Sequence, residues 1–190
     1  MLMFSSKHRN FGFSLVELMI AVALLGLLSA YAVPSYRAWI QNNQIRNAAE
    51  SIQSGLQVAR GEAVSRNASV QFDLRGTNSA WTVCAIPVAP GACPAVDDAT
   101  TVQSRGVREG SSTNVTVTTS DAGPFVFNGL GVMISPAPAA ASGLVSINVD
   151  NSILTAAESR DLRVVIGVGG SSRMCDPTLP SAGTDPRKCP

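Results

Sequence analysis

The chain has 190 residues with 14 basic and 13 acidic side chains, which is enough for one domain and an anchor but short for two ordinary domains. This near-neutral charge excludes a general electrostatic attraction to nucleic acid, so any such binding needs a local basic patch. The only histidine is His8, which excludes a histidine triad or a common histidine zinc site in the rest of the chain. We therefore expect that the chain is not an enzyme and that it binds neither a metal ion nor a cofactor.

An apolar segment runs from Phe13 to Val33, and Glu17 is its only charged residue. At about 1.5 Å of rise per residue, a helix of this length crosses a bilayer about once. The basic residues Lys7 and Arg9 before it predict that the N-terminal end stays in the cytoplasm. The chain after Val33 would then face the opposite side of the membrane.

Glu17 needs an explanation, because a carboxylate in a spanning helix costs about 2.5–3.5 kcal/mol. On a helix that begins at Phe13, Glu17 lies one turn along the same face. Cleavage between Gly12 and Phe13 would create an amine at Phe13 that could pair with this carboxylate, within one chain or between neighbours. The alternative is a Glu17 side chain that reaches the lipid headgroups.

The run Gly12-Phe13-Ser14-Leu15-Val16-Glu17-Leu18 before an apolar helix resembles the class III signal of type IV pilins and type II secretion pseudopilins. The resemblance implies that a prepilin peptidase removes residues 1–12 as a leader, cutting after Gly12, and methylates Phe13. It also implies that Glu17 is used in subunit docking during filament assembly. Loss of the leader would change the formal charge from +1 to −1, because it carries two basic residues and no acid.

A second cleavage site competes with this interpretation. Ala30-Tyr31-Ala32 fits an ordinary signal peptidase, with Leu18 to Leu28 as the apolar region before it. Such a cut would release a soluble protein that begins at Val33. The charge of Glu17 and a helical pattern that continues past the cut site favour the pilin interpretation.

An amphipathic helix follows the apolar segment. Small and apolar residues recur there at three- and four-residue spacing: Ile45, Ala48, Ala49, Ile52, Leu56, Ala59 and Ala63. We predict one helix from about Phe13 to about Arg66, with residues 13–36 in the membrane or filament core and residues 37–67 packed on a globular head.

Three residues should disturb this helix. Pro34 falls where the resembled family usually has a helix-loosening proline, and we expect a kink or local melting there. Gly55 and Gly61 weaken the helix modestly. We expect a close approach of the head's sheet to explain both glycines.

From Ala68 onward the apolar period changes to two, which predicts a β-rich head over residues 68–190. The predicted strands are Val70–Leu74, Trp81–Ala85, Val115–Val117, Phe125–Phe127, Val145–Val149 and Leu162–Val168. Gly76-Thr77-Asn78 predicts a hairpin turn between the first two. No crossover helix separates the strands, so the fold class should be α+β with a mainly antiparallel sheet.

One helix followed by a β-rich head is also the pilin plan. Ala59-Arg60-Gly61-Glu62-Ala63 with Arg66-Asn67 resembles minor pilins and pseudopilins of the GspH/FimT type, with Gly61 in place of the usual serine. The resemblance implies a structural subunit, inserted once in the bacterial inner membrane with its head in the periplasm, and then built into a pilus or pseudopilus. Its implied partners are the prepilin peptidase, other minor and major pilins or pseudopilins, and the inner-membrane assembly platform.

The four cysteines, Cys84, Cys93, Cys175 and Cys189, all lie on the translocated side, where an even number indicates disulfides. Three pairings are possible. We favour Cys84–Cys93 and Cys175–Cys189, because each pair brackets one loop that contains proline and glycine.

A bridge between Cys175 and Cys189 would bring three cations near the base of a closed loop: Arg173, Arg187 and Lys188. Some FimT-type proteins bind DNA through a Gly-Arg-x-Arg element in the tail, and Gly170-Ser171-Ser172-Arg173 keeps only the last arginine of it. The functional hypotheses are therefore a type IV minor pilin, a type II secretion pseudopilin, and a DNA-binding uptake subunit of modest, salt-sensitive affinity. The alternative for the tail is a solvated loop partly balanced by Asp176 and Asp185.

Overall fold

The computed structural model describes residues 12–86, 91, 93–94, 98–109, 111–121, 123–136, 143–180 and 182–190. The predicted leader therefore lies outside the described residues, except for Gly12. The chain divides into two compact units, residues 1–37 and residues 38–190.

The single helix of the described residues, α1, spans Leu15–Arg66. It ends where the pattern predicts, but it begins two residues later than predicted. Phe13 is therefore not helical, and the shared helix face that we assumed for Phe13 and Glu17 does not exist in this structure. The helix also continues through Pro34 without melting there, because a proline removes only one hydrogen bond of the ladder, and the predicted kink stays a prediction.

The second unit contains all nine strands of the described residues. In chain order they are β1 Val70–Leu74, β2 Trp81–Ala85, β3 Thr101–Arg105, β4 Val115–Thr119, β5 Phe125–Phe127, β6 Met133–Ser135, β7 Leu144–Asn151, β8 Leu162–Gly167 and β9 Ser172–Cys175. The six predicted strands are present, and the predicted turn at Gly76 joins β1 to β2 with a left-handed φ of 80°.

These strands form two antiparallel sheets, whereas the sequence predicted one. The first sheet has the order β3-β2-β1-β5-β6 and the second has the order β4-β7-β8-β9. Three strands were not predicted, β3, β6 and β9, and each of them is an edge strand. These three strands are short and half-solvated and lack the apolar alternation by which the other strands, including the edge strand β4, are recognised.

The core lies between the helix and the inner faces of both sheets. All seven residues of the predicted helical stripe are buried, and they form one cluster with apolar residues of both sheets. The largest core side chains are aromatic and come from the first sheet: Phe72, Trp81, Phe125 and Phe127.

Trp81 is seated in a notch of small residues on α1. Its indole nitrogen donates a hydrogen bond to the buried Ser51 hydroxyl at 2.9 Å. One turn later, a Cβ on Gly55 would lie 2.6 Å from Phe72 Cε2 and 2.9 Å from Trp81 Cε2. The predicted close approach is therefore correct at Gly55. It is wrong at Gly61, which is exposed and has no atom within 4 Å of a Cβ position.

Gly91, Cys93 and Pro94, the described residues of what we call the Cys93 segment, lie against the outer face of the first sheet. Cys93 is joined to Cys84 by a disulfide with a Cα–Cα distance of 5.8 Å. Alternate residues of β1 and its turn hold this segment. Gln71 bonds the Gly91 carbonyl, Asp73 accepts from the Cys93 N–H at 3.1 Å, and Arg75 donates to the Cys93 carbonyl at 2.7 Å. This cover explains why a polar side chain such as Gln71 is buried on an outer face.

Candidate functional site

The segment Gly12 to Leu18 contains the residues to which the sequence assigns processing and assembly. Gly12, Phe13 and Ser14 precede the helix, and Phe13 is 81% exposed. The Ser14 hydroxyl accepts a hydrogen bond from the Glu17 N–H at 3.2 Å, and the Ser14 carbonyl accepts from the Leu18 N–H at 3.1 Å. Ser14 is therefore the N-cap of α1, and Glu17 is its third helical residue.

This cap was not predicted, although the sequence carries a recognisable signal for it. Serine followed three residues later by glutamate, before an apolar run, is the pattern of a capping box. Glu17 also lies in the first turn, where a carboxylate interacts favourably with the helix dipole. The position of Glu17 in the first turn therefore favours a carboxylate there independently of any partner.

Glu17 is exposed, and none of the ion pairs within the described residues involves it. The predicted pairing needs the amine that cleavage at Gly12 would create, so it stays a prediction. Because Phe13 lies outside the helix, that amine would start from a non-helical segment next to the cap.

The apolar surface of the first unit is uncovered. Every described residue from Gly12 to Arg37 is exposed, and the large apolar side chains from Phe13 to Val33 are exposed by 47–81%. Among the described residues this is the one helix long and apolar enough to cross a bilayer. Such a surface is stable only against lipid or against other apolar helices.

The second disulfide joins Cys175 to Cys189, with a Cα–Cα distance of 5.0 Å. The Asp176 N–H donates to the Arg187 carbonyl at 2.7 Å, and Asp176 and Lys188 form an isolated parallel bridge. Two of the predicted cations, Arg187 and Lys188, therefore lie at the closed base of the loop. The third, Arg173, is exposed on β9, two residues before Cys175.

Arg187 is engaged by a neighbouring carboxylate. Its Nη2 lies 2.7 Å from Asp185 Oδ2 and its Nε lies 3.1 Å from Oδ1. The hydrogen bonds from Arg187 hold the pKa of Asp185 at about 2, below its ordinary value. This pair is the charge balance expected for a solvated loop, and it weakens Arg187 as a phosphate ligand. A contact with DNA remains a prediction.

A shallow cleft of about 300 Å³ lies beside the tail, on the outer side of the second sheet. Its one basic lining residue is Arg163, which donates to Asn148 Oδ1 at 2.6 Å. Asp121 lines the same cleft and offsets this charge. The cleft therefore does not extend the basic patch of the tail.

The run from Ala59 to Asn67 has a structural role here. Arg60 Nε donates to the Gly131 carbonyl at 3.1 Å, and a Cβ on Gly170 would overlap the same oxygen. Asn67 ends the helix with a left-handed φ of 48°. Arg60 thus ties the helix end to the turn between β5 and β6, which abuts the turn between β8 and β9.

Two family models match the chain. The model described as type II transport protein GspH covers residues 48–170, and the prokaryotic N-terminal methylation motif covers residues 7–33. The first spans the helix end and both sheets, and the second spans the Gly12 to Glu17 segment and the apolar helix.

Partial similarity connects the chain to fimbrial proteins of Dichelobacter nodosus. A type IV major fimbrial protein FimA is 43% identical over 52 residues, which are 27% of this chain and 32% of that protein. A second fimbrial protein of this organism is 43% identical over 56 residues, 30% of this chain and 34% of that protein. The chain therefore spans about a third of the length of the curated relatives it matches.

Solved structures show the same fold. Two crystal forms of the type IV minor pilin FimU of Pseudomonas aeruginosa strain PAO1 superpose with TM-scores of 0.51 and 0.50, each at 18% identity. The matches cover 76% and 73% of this chain and 95% and 94% of FimU. One long helix on antiparallel sheets is thus the pilin fold. Since the GspH model covers more than half of the residues and the methylation motif precedes it, this chain belongs to the GspH family of type IV pilin-like proteins.

Proposed function

We propose that this chain is a minor pilin, a structural subunit of a type IV pilus that acts in a priming or tip complex. The observation that carries the proposal is the uncovered apolar helix surface with its single carboxylate, Glu17. In the inner membrane, lipid covers this surface. In a fibre, the helices of neighbouring subunits replace the lipid, so the driving force comes from helix packing and from pairing of Glu17.

Processing precedes assembly in this proposal. A prepilin peptidase cuts between Gly12 and Phe13 and the new terminus is methylated, which the match to the methylation motif supports. Mass spectrometry of the membrane-extracted mature protein tests this step. We expect an N-methylated Phe13 terminus, whereas a chain that begins at Val33 would establish the ordinary signal peptidase site and end the pilin proposal.

The assignment to a pilus is supported by the likeness to a type IV minor pilin. The partners would be other minor and major pilins and the inner-membrane assembly platform. Removal of the gene should abolish or reduce twitching motility, and the processed chain should appear in sheared pili. Complementation by the unaltered gene is the control.

A type II secretion pseudopilin is the second candidate, because the family model that covers the head carries that description. Exoprotein release in the same deletion strain separates the two. Normal twitching with defective exoprotein release would replace the pilus proposal by the secretion one. Normal behaviour in both assays would contradict both.

A further inference from the structure

The peptide bond between Gly12 and Phe13, at which the leader would be removed, lies outside the helix. α1 begins at Leu15, and Gly12, Phe13 and Ser14 are exposed and non-helical in the uncleaved chain. What ends the helix on this side is the hydroxyl of Ser14, which takes the hydrogen bond of the Glu17 N–H.

Backbone conformation decides whether a peptidase can reach this bond. Hydrolysis adds water to the Gly12 carbonyl carbon and breaks its bond to the Phe13 nitrogen. The products are a carboxylate on Gly12 and an amine on Phe13. A peptide bond inside a helix has its carbonyl and N–H engaged and crowded by neighbouring turns, and proteases cleave preferentially where the backbone is exposed and irregular. The bond must therefore stay outside the helix.

The apolar residues after Ser14 favour a helix that grows toward the leader. A residue such as alanine at position 14 would lose the cap and gain helix propensity, and both effects favour extension through Phe13 to Gly12. The single glycine at position 12 opposes this extension only in part. The cap is thus the feature that keeps the cleavage site unwound.

We infer that the Ser14 hydroxyl is a positioning group for leader removal, because it fixes the first turn of α1 beyond the Gly12–Phe13 bond. The inference rests on the proposed cleavage after Gly12. Ser14 acts here through backbone conformation and takes no part in the chemistry. Any residue that caps a helix should therefore replace it.

The test measures the initial rate of leader removal from full-length chains in membranes that contain a prepilin peptidase. Ser14→Ala should lower this rate by up to about fivefold, because loss of an N-cap changes the equilibrium constant between the unwound and the helical cleavage site by about that factor. Ser14→Thr, Ser14→Asn and Ser14→Gly should each stay within about twofold of the unaltered rate, because all three residues serve as N-caps. Ser29→Ala is the matched control, since the Ser29 hydroxyl bonds the Leu25 carbonyl within the same helix and caps nothing.

The Gly variant separates capping from direct recognition of a hydroxyl. Slow cleavage of both Ser14→Ala and Ser14→Gly would show that the peptidase reads the side chain and would overturn the inference. Unchanged cleavage of Ser14→Ala would overturn it as well. Alkaline extraction confirms that each variant is inserted. Absence of a Gly12–Phe13 cut in the unaltered chain would instead contradict the proposed function.

Discussion

Glu17 has two chemical roles that a single substitution does not separate. It lies in the first turn of α1, where a carboxylate interacts favourably with the helix dipole, and it is the only charge in the apolar segment. Replacement by alanine removes both the charge and the first-turn acceptor. Replacement by glutamine removes the charge and keeps an acceptor that can take part in a capping box.

We expect Glu17→Ala and Glu17→Gln to insert into the membrane normally and to be absent from sheared fibres. Breaking a buried charge pair costs about 3–5 kcal/mol, which takes incorporation below detection. Glu50→Gln is the control, because Glu50 forms an exposed pair with Arg46 at 2.9 Å. Fibres that contain Glu17→Gln but exclude Glu17→Ala would show that Glu17 acts as a cap and would contradict the docking role.

Asp185 offers a local probe of the tail. Its pKa of about 2 lies below the ordinary 3.8 because Arg187 stabilises the carboxylate. Because the pKa is lower in the folded state than in the unfolded state, Asp185 contributes to the free energy of unfolding above pH 3.8. This contribution is lost as the pH falls from there toward 2. An NMR titration of Arg187→Ala should return the Asp185 pKa toward 3.8, whereas Arg173→Ala should leave it near 2. An unchanged pKa in Arg187→Ala would mean that the Arg187 side chain does not cause the shift, since this variant keeps the backbone N–H that donates to Asp185.

At the scale of the helix, two glycines on α1 should respond to alanine with opposite signs. At Gly55, the new methyl group would press on Phe72 and Trp81, and overpacking of this kind costs about 1–3 kcal/mol. At Gly61 the Cβ position is open, so alanine should stabilise by about 0.5–1 kcal/mol through helix propensity.

Thermal unfolding of the full-length protein in detergent measures both variants. A change of 1 kcal/mol shifts the melting temperature of a domain this size by about 2–4 °C. Gly55→Ala should melt several degrees lower and Gly61→Ala slightly higher than the unaltered protein. A stabilising Gly55→Ala would contradict the close approach of the first sheet at this position.

The two glycines also show how far sequence reasoning reaches. Periodicity identifies the buried stripe and the central strands, because burial on one face leaves a repeating pattern. It does not identify what lies opposite a given residue, so Gly55 and Gly61 look alike in the sequence. The same limit applies to Gln71 and Asp73, whose alternation marks an outer face while their partner, the Cys93 segment, lies 20 residues further along the chain.

The candidate site shows a similar division. The N-terminal methylation motif and the favoured cysteine pairs could be predicted from local residues, and cleavage after Gly12 and the docking role of Glu17 stay predictions. The sequence also offered Asp176 and Asp185 as partial balance for the tail cations, but only the fold of the tail shows that Asp185 is the acid that pairs with Arg187. A sequence that contains basic residues in a loop therefore overstates the charge that the loop presents.

At the scale of the whole molecule, charge limits any binding of nucleic acid. The processed chain would carry a formal charge of −1, and three tail cations are the candidates: Arg173, Arg187 and Lys188. Each phosphate neutralised contributes about −0.9 to the slope of log affinity against log salt. The slope should therefore be no steeper than about −3, and shallower if Arg187 stays with Asp185.

Retention of the processed full-length protein on DNA at low and high salt checks this limit. Arg173→Ala should weaken retention by about one phosphate contact and flatten the salt slope by about 1. The control is Arg108→Ala, which should change neither, since Arg108 is an exposed arginine between β3 and β4. Asp185→Asn should strengthen retention, because it releases Arg187. Equal losses in Arg173→Ala and Arg108→Ala would mean that any attraction is spread over the surface, and no retention at low salt would remove DNA from the functions of this chain. Either result would leave the proposed transfer of the apolar helix from membrane to fibre unaffected, because that step does not involve the tail cations.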